Sequence, residues 1–204
     1  MARSTDATLF LPGAGGRRSF WQPVASRLSH ARPAVLFAWP GFGDEPPDPG
    51  IASLDDLFAW FVDRIPDGPV NVVAQSMGGV LGMRLAIEQP ARVRRLVLVA
   101  TSGGSQVARG GIDWRAGFRA EQSDVPDWFE RDETDLDPRL GAVIAPTLLI
   151  FGDADPIAPV RIGEYLRLRL ARARLLVIAS GSHTFAAERP DEVALAIDEH
   201  LRAT

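Results

Sequence analysis

Ser76 stands in Ala74-Gln75-Ser76-Met77-Gly78-Gly79, directly after the apolar run Val70-Asn71-Val72-Val73-Ala74 and at the opening of an amphipathic stretch. A serine at a sharp strand-to-helix turn has its hydroxyl lifted clear of a sheet, with small residues needed on either side because the backbone doubles back. Ala74 and Gly78 are those small residues, and Ala74 departs from the usual Gly of a G-x-S-x-G pattern. The helix N-terminus adds a dipole that favours developing negative charge at Ser76. The structural alternative is a helix N-cap with no chemistry.

A serine nucleophile needs a base. The chain has three histidines, His30, His183 and His200. His30 precedes a Pro-containing turn and His200 lies close to the C-terminus. His183 follows the apolar run Leu175-Leu176-Val177-Ile178-Ala179 in the loop Ser180-Gly181-Ser182. Loops after the C-terminal ends of parallel strands are where sites form in α/β sheets, so His183 is the candidate base. An orienting acid is expected in Phe151-Gly152-Asp153-Ala154-Asp155-Pro156, after the run Thr147-Leu148-Leu149-Ile150. Asp153 and Asp155 compete there, the other carboxylate being free to accept turn amides. A tetrahedral oxyanion needs donors. The N–H of Met77 is one, and the Gly-rich loop Pro12-Gly13-Ala14-Gly15-Gly16 offers the second, at Ala14. The same loop lacks the Lys-Ser/Thr ending and the G-x-G-x-x-G spacing of phosphate-binding loops.

Elements that could hold these groups alternate along the chain. Strands are expected at 8–11, 35–39, 70–74, 95–101, 147–151 and 175–179, with helices at 19–29, 53–65, 77–88, 160–170 and 190–202. In 53–65 the apolar residues Leu54, Leu57, Phe58, Phe61, Val62 and Ile65 recur at spacings of three and four, behind an N-cap at Ser53. Several strand runs are apolar at successive positions, the pattern of strands buried on both faces. Strands separated by helices imply an α/β fold with a mostly parallel sheet of about six strands, joined by right-handed crossovers. The stretch 103–145 breaks the rhythm. It carries Trp114, Phe118, Trp128 and Phe129 between a Gly-rich start and an acidic end. A connection that long is expected to be a lid or binding element.

These residues resemble the α/β-hydrolase superfamily, in particular its single-domain serine esterases, over nearly the whole chain. Pro12-Gly13-Ala14-Gly15 with Trp21 is similar to the family's oxyanion loop and following helix, and Pro40-Gly41-Phe42-Gly43 to its next loop. Gly152-x-x-Asp155 with Pro159 matches G-x-x-D-x-x-x-P, which favours Asp155 over Asp153. His183 with Glu188 and Pro190 matches H-x-x-x-x-E-x-P, and the order Ser, Asp, His is that of the family. Pro12 stands where the family commonly has His, and the chain begins at what would be the family's third strand. The resemblance implies one domain over 1–204 with a small cap at about 103–145, and cleavage of carboxylic esters without a cofactor. Ser76, His183 and Asp155 would be catalytic and the N–H groups of Ala14 and Met77 would bind the oxyanion. Trp114, Trp128 and Phe129 would touch the substrate. Thioester or C–C bond cleavage on the same fold is the alternative, and a non-catalytic ligand-binding protein a more distant one.

Composition narrows the rest. The chain has 204 residues, 46% hydrophobic and 24% charged, with a formal net charge of −4, which excludes a disordered chain. The mild acidity gives no general attraction to nucleic acid or anionic membranes. There is no cysteine, so disulfides and thiolate metal sites are excluded. The acidic run 130–137 lacks the spacing of a calcium loop, and no metal site is expected. The longest unbroken apolar run, 96–100, is far too short to span a bilayer. The expectation is a cytoplasmic monomer or homodimer acting on a small-molecule ester.

Overall fold

A computed structural model describes residues 7–29, 33–112 and 125–203. Six strands form one sheet: β1 Thr8–Leu11, β2 Ala34–Leu36, β3 Val70–Gln75, β4 Val93–Val99, β5 Thr147–Gly152 and β6 Ala173–Ile178. Their order is β2-β1-β3-β4-β5-β6, and every neighbouring pair is parallel. Every residue of β1, β3 and β5 is buried, while the edge strands β2 and β6 are partly open. That is why the central runs are apolar at successive positions.

Among the described residues the helices are α1 Gln22–Ala25, α2 Leu54–Val62, α3 Met77–Glu88, α4 Gln106–Arg109, α5 Asp127–Glu130, α6 Val160–Arg169, α7 Phe185–Glu188 and α8 Pro190–Arg202. The chain steps one way from β1 to β2 and the other way from β3 through β6. Right-handed crossovers then put α1 on one face of the sheet and α2, α3 and α6 on the other. Helix α3 packs on β3 and β4, α6 packs on β5 and β6, and α8 returns against α1. The reversal falls between β1 and β3, and the crevice at the carboxyl ends of those strands is where α/β sheets bind ligands.

Local sequence explains most boundaries. Ser53 Oγ accepts the Asp56 N–H at 3.1 Å and starts α2, whose stripe of Leu54, Leu57, Phe58 and Phe61 is buried. The helix expected over 19–29 is instead a short 3-10 turn at Arg18–Phe20 followed by α1. A helix running through from 19 would need an N–H on Pro23 for the Ser19 carbonyl, and proline has none. The strand expected over 35–39 ends at Leu36, opposite Phe10, and the last bond to β1 is from Phe37 N–H to Phe10 O (3.0 Å). Trp39 then pairs its backbone N–H with Gly16 O (3.1 Å) and its indole N–H with Pro12 O (2.8 Å). The Trp21 indole donates to Leu11 O at 2.9 Å. Two buried tryptophans therefore pin the loop that follows β1.

Within 103–145 the described residues form α4, α5 and a 3-10 turn at Asp137–Ala142. Its two ends are tied together. Leu136 N–H donates to Gly104 O (2.9 Å), and Asp137 accepts from Ser105 Oγ (2.5 Å) and Tyr165 OH (2.8 Å). Trp114 and Phe118 lie outside the described residues, as does His30.

Candidate active site

Ser76 joins β3 to α3 with φ 49° and ψ −120°, a conformation that strains any residue with a side chain. Neighbouring hydrogen bonds hold it there. Its N–H donates to Val99 O at 3.1 Å, and its carbonyl accepts from Thr101 Oγ1 at 2.6 Å and from Gly79 N–H at 2.9 Å. Small residues make room for the turn. A Cβ on Gly78 would lie 2.4 Å from Pro12 O and 2.7 Å from Leu11 O. The methyl of Ala74, where the usual motif has glycine, faces Gly82 on α3. A Cβ at position 82 would come within 3.3 Å of it, so the glycine on the helix leaves the space that the alanine on the strand occupies.

The loops after β5 and β6 touch backbone to backbone. A Cβ on Gly152 would lie 2.1 Å from Gly181 O, and Ala154 N–H donates to that same oxygen at 3.1 Å. This contact brings Asp155 and His183 together. His183 Nδ1 is 2.8 Å from Asp155 Oδ2, and His183 Nε2 is 3.2 Å from Ser76 Oγ. The Asp155 side chain is fully buried, and its other oxygen accepts the N–H groups of Ile157 (2.8 Å) and Ala158 (2.9 Å). Asp153 points elsewhere and accepts the Ser180 N–H at 2.6 Å. Glu188 ties down the His183 loop, accepting from Ser182 Oγ (2.8 Å) and Thr184 Oγ1 (2.6 Å).

Two cavities meet at this point, and Ser76, Ile157 and His183 line both. One, of about 70 Å3, is mainly apolar, with Met77, Leu54, Val80, Phe129 and Ile162 in its wall. The other, of about 360 Å3, is walled by the loop after β1, including Gly13 and Ala14, and by Gln75 and Phe20. Met77 lines the first cavity and Ala14 the second, and Ser76 lines both. Trp128 and Phe129 both pack edge-on against Phe42, at 5.6 and 5.7 Å, and of the two only Phe129 is in a cavity wall. Trp114 lies outside the described residues.

Two groups that touch the site went unnoticed in the sequence. Thr101 buttresses the Ser76 carbonyl, and the Gln75 carboxamide reaches His183. The signal for Gln75 was a polar residue ending a buried apolar strand. His200 is remote from the site, buried in α8 with Nε2 donating to Pro146 O at 3.1 Å. Among the described residues no group of three or more His, Asp or Glu could hold a metal ion, and no helix is long and apolar enough to cross a membrane.

Chemically, this is a hydroxyl beside an imidazole whose far nitrogen faces a buried carboxylate. It can generate a nucleophile at neutral pH without a metal. A pimeloyl-[acyl-carrier protein] methyl ester esterase of Neisseria meningitidis serogroup B is 26% identical, over 90% of this chain and 88% of its own length. A protein of Variovorax paradoxus named for carbamate hydrolysis, RutD, is 29% identical, over 87% of this chain and 85% of its own. The structure of a thermophilic esterase from Thermogutta terrifontis superposes with a TM-score of 0.76 at 21% identity, covering 97% of this chain and 89% of that one. The model of the alpha/beta hydrolase family matches residues 8–142, which hold the first four strands and Ser76. By that match, and by the parallel sheet that continues it, this chain belongs to the alpha/beta hydrolase family.

Proposed function

We propose that this chain is a serine hydrolase that cleaves carboxylic esters of small molecules through an acyl-enzyme. The observation that carries the reading is the line Asp155 Oδ2–His183 Nδ1 (2.8 Å) and His183 Nε2–Ser76 Oγ (3.2 Å), built on a serine held at φ 49°. Asp155 fixes the tautomer with hydrogen on Nδ1, which leaves the Nε2 lone pair for the serine proton. Ser76 attacks the ester carbonyl and His183 takes its proton. The N–H groups of Ala14 and Met77 receive the oxyanion. His183 returns the proton to the leaving alkoxide, and water repeats the sequence to release the acid. The apolar cavity beside Met77 and Phe129 suits a hydrocarbon portion of the substrate. On this reading the chain is one domain, and 103–145 is a cap over the site, clamped at its base by Asp137.

The test has two parts. A fluorophosphonate should label the wild type on Ser76 and leave Ser76→Ala unlabelled by intact mass. A matched ester, thioester and carbamate of one acyl group then ranks the bonds, and the ester should give the highest kcat/KM. Labelling with preferred turnover of the thioester or carbamate would keep the nucleophile and replace the bond class.

A further inference from the structure

Gln75 ends β3 immediately before Ser76 and is 4% exposed. Its carboxamide nitrogen lies 3.3 Å from the backbone oxygen of His183 and 3.3 Å from Nε2 of the same residue. Its carboxamide oxygen packs against Gly13, where a Cβ would come within 2.3 Å of it. The side chain therefore fills the gap between the loop after β1 and the loop after β6, beside the reacting atoms.

The orientation of the carboxamide is dictated. A backbone carbonyl only accepts, so the Gln75 NH2 must face the His183 carbonyl, and rotating it by half a turn would set oxygen against oxygen. Its second hydrogen is then directed at the ring. With Nδ1–H donated to Asp155, neutral His183 has one lone pair, on Nε2. The Ser76 hydroxyl at 3.2 Å and the Gln75 N–H at 3.3 Å share it.

We propose that Gln75 is a positioning residue that holds the His183 ring and, by donating to its neutral form, sets how readily it takes up a proton. This rests on the reading of Ser76, His183 and Asp155 above. When Nε2 gains a proton, the Gln75 N–H faces another N–H in place of a lone pair. Gln75 thus opposes the imidazolium that Asp155 favours. That hydrogen bond is made to the neutral ring alone and is given up when His183 takes the Ser76 proton. Other charged groups around the ring are Asp153 and Glu188 on the flanking loops, Arg109 and Asp132 in the wall of the apolar cavity, and Arg17 in the wall of the other. All are unchanged by a substitution at 75, so a comparison of variants isolates the carboxamide.

Gln75→Met keeps the length and removes both donor hydrogens, and Gln75→Glu puts an acceptor in their place. The ring of His183 is followed by 15N NMR from pH 4 to 10 in the full chain, assigned with His183→Gln, beside the pH profile of kcat/KM on a p-nitrophenyl ester. In Gln75→Met the midpoint of the ring titration and the acid limb of the profile should both rise by about 0.4–1 pH unit. In Gln75→Glu they should rise further. If Gln75→Met does not fold, Gln75→Asn, which withdraws the amide from the ring, should show the same rise. A midpoint that is unmoved or lower in a folded Met or Asn variant overturns the proposal, as does a Glu variant that moves less than Met. A wild type inert to every ester would overturn the reading of the reaction alone, because the ring titration decides the role of Gln75 without turnover.

Discussion

Asp155→Asn exchanges one oxygen for NH2 at almost constant shape, and the structure dictates which way the new amide must face. One Asp155 oxygen accepts the N–H groups of Ile157 and Ala158 at 2.8 and 2.9 Å. Those two donors require an oxygen, so Asn Oδ1 takes that place and Nδ2 is turned toward His183 Nδ1, 2.8 Å away in the wild type. The amide donates where the carboxylate accepted. The ring must then carry its hydrogen on Nε2, where it faces the Ser76 hydroxyl and cannot take its proton. The expected loss in kcat is on the order of 10⁴-fold, about 5.5 kcal/mol of transition-state stabilisation, the size seen for the same exchange in an unrelated triad. Asp153→Asn, which loosens one Ser180 N–H contact, should stay within about tenfold of the wild type. The assay is steady-state hydrolysis of a p-nitrophenyl ester, with the 15N spectrum of the ring as the direct view of the tautomer. An Asp155→Asn enzyme that keeps more than about a tenth of wild-type kcat, or whose ring keeps its hydrogen on Nδ1, would refute this reasoning.

Other perturbations probe the frame around the site. Gly78→Ala drives a methyl to 2.4 Å from Pro12 O. It should cost about 1–3 kcal/mol in urea unfolding and lower kcat with it, because the displaced backbone is that of the loop carrying Ala14. Gly82→Ala crowds Val72 (3.0 Å) and Ala74 (3.3 Å). Adding Ala74→Gly should recover part of the lost stability, read as a coupling of more than about 0.5 kcal/mol in a double-mutant cycle. Asp137→Ala removes the acceptor shared by Ser105 and Tyr165. It should destabilise the chain by about 2 kcal/mol, a fall in Tm of roughly 4–8 °C by calorimetry. His200 is pushed down from 6.5 to about 4 by burial first and then by the charges of Arg174 and Arg95. The unfolded chain binds that proton near pH 6.5 and the folded chain resists it until about 4. Stability should therefore fall as pH drops through this window, by at most about 1.4 kcal/mol per pH unit from this residue. The fall should be shallower in His200→Gln.

The parts of this molecule that could be read in advance are those where one local pattern has one physical meaning. A run such as Thr147-Leu148-Leu149-Ile150 admits no solvent-facing side, so it had to be an interior strand, and β5 is buried throughout. Parallel strands put their carboxyl ends together, which is why Ser76, His183 and the pair Asp153 and Asp155 could be expected near one another, and only the resemblance to the family's acid motif favoured Asp155. What could not be read depends on contacts between distant segments. Trp39, three residues past β2, bonds the loop after β1, a partner that only the folded loop supplies. Trp128 and Phe129 are adjacent, similar in chemistry and both edge-on to Phe42, yet only Phe129 lines the cavity, and nothing in the sequence separates them. Ala74 looked like a plain departure from a motif, because its compensation sits eight positions on, at Gly82 on the helix above it. Gln75 could be seen as polar and buried, but its partner arrives from the far end of the chain.

The central claim, that Ser76 is the nucleophile of an ester hydrolase, is tested most directly by following p-nitrophenyl ester hydrolysis, acetyl through palmitoyl, with wild type and Ser76→Ala side by side. The wild type should turn over these esters with a preferred chain length, and the alanine variant should lose several powers of ten in rate. Comparable rates from the two proteins would contradict it.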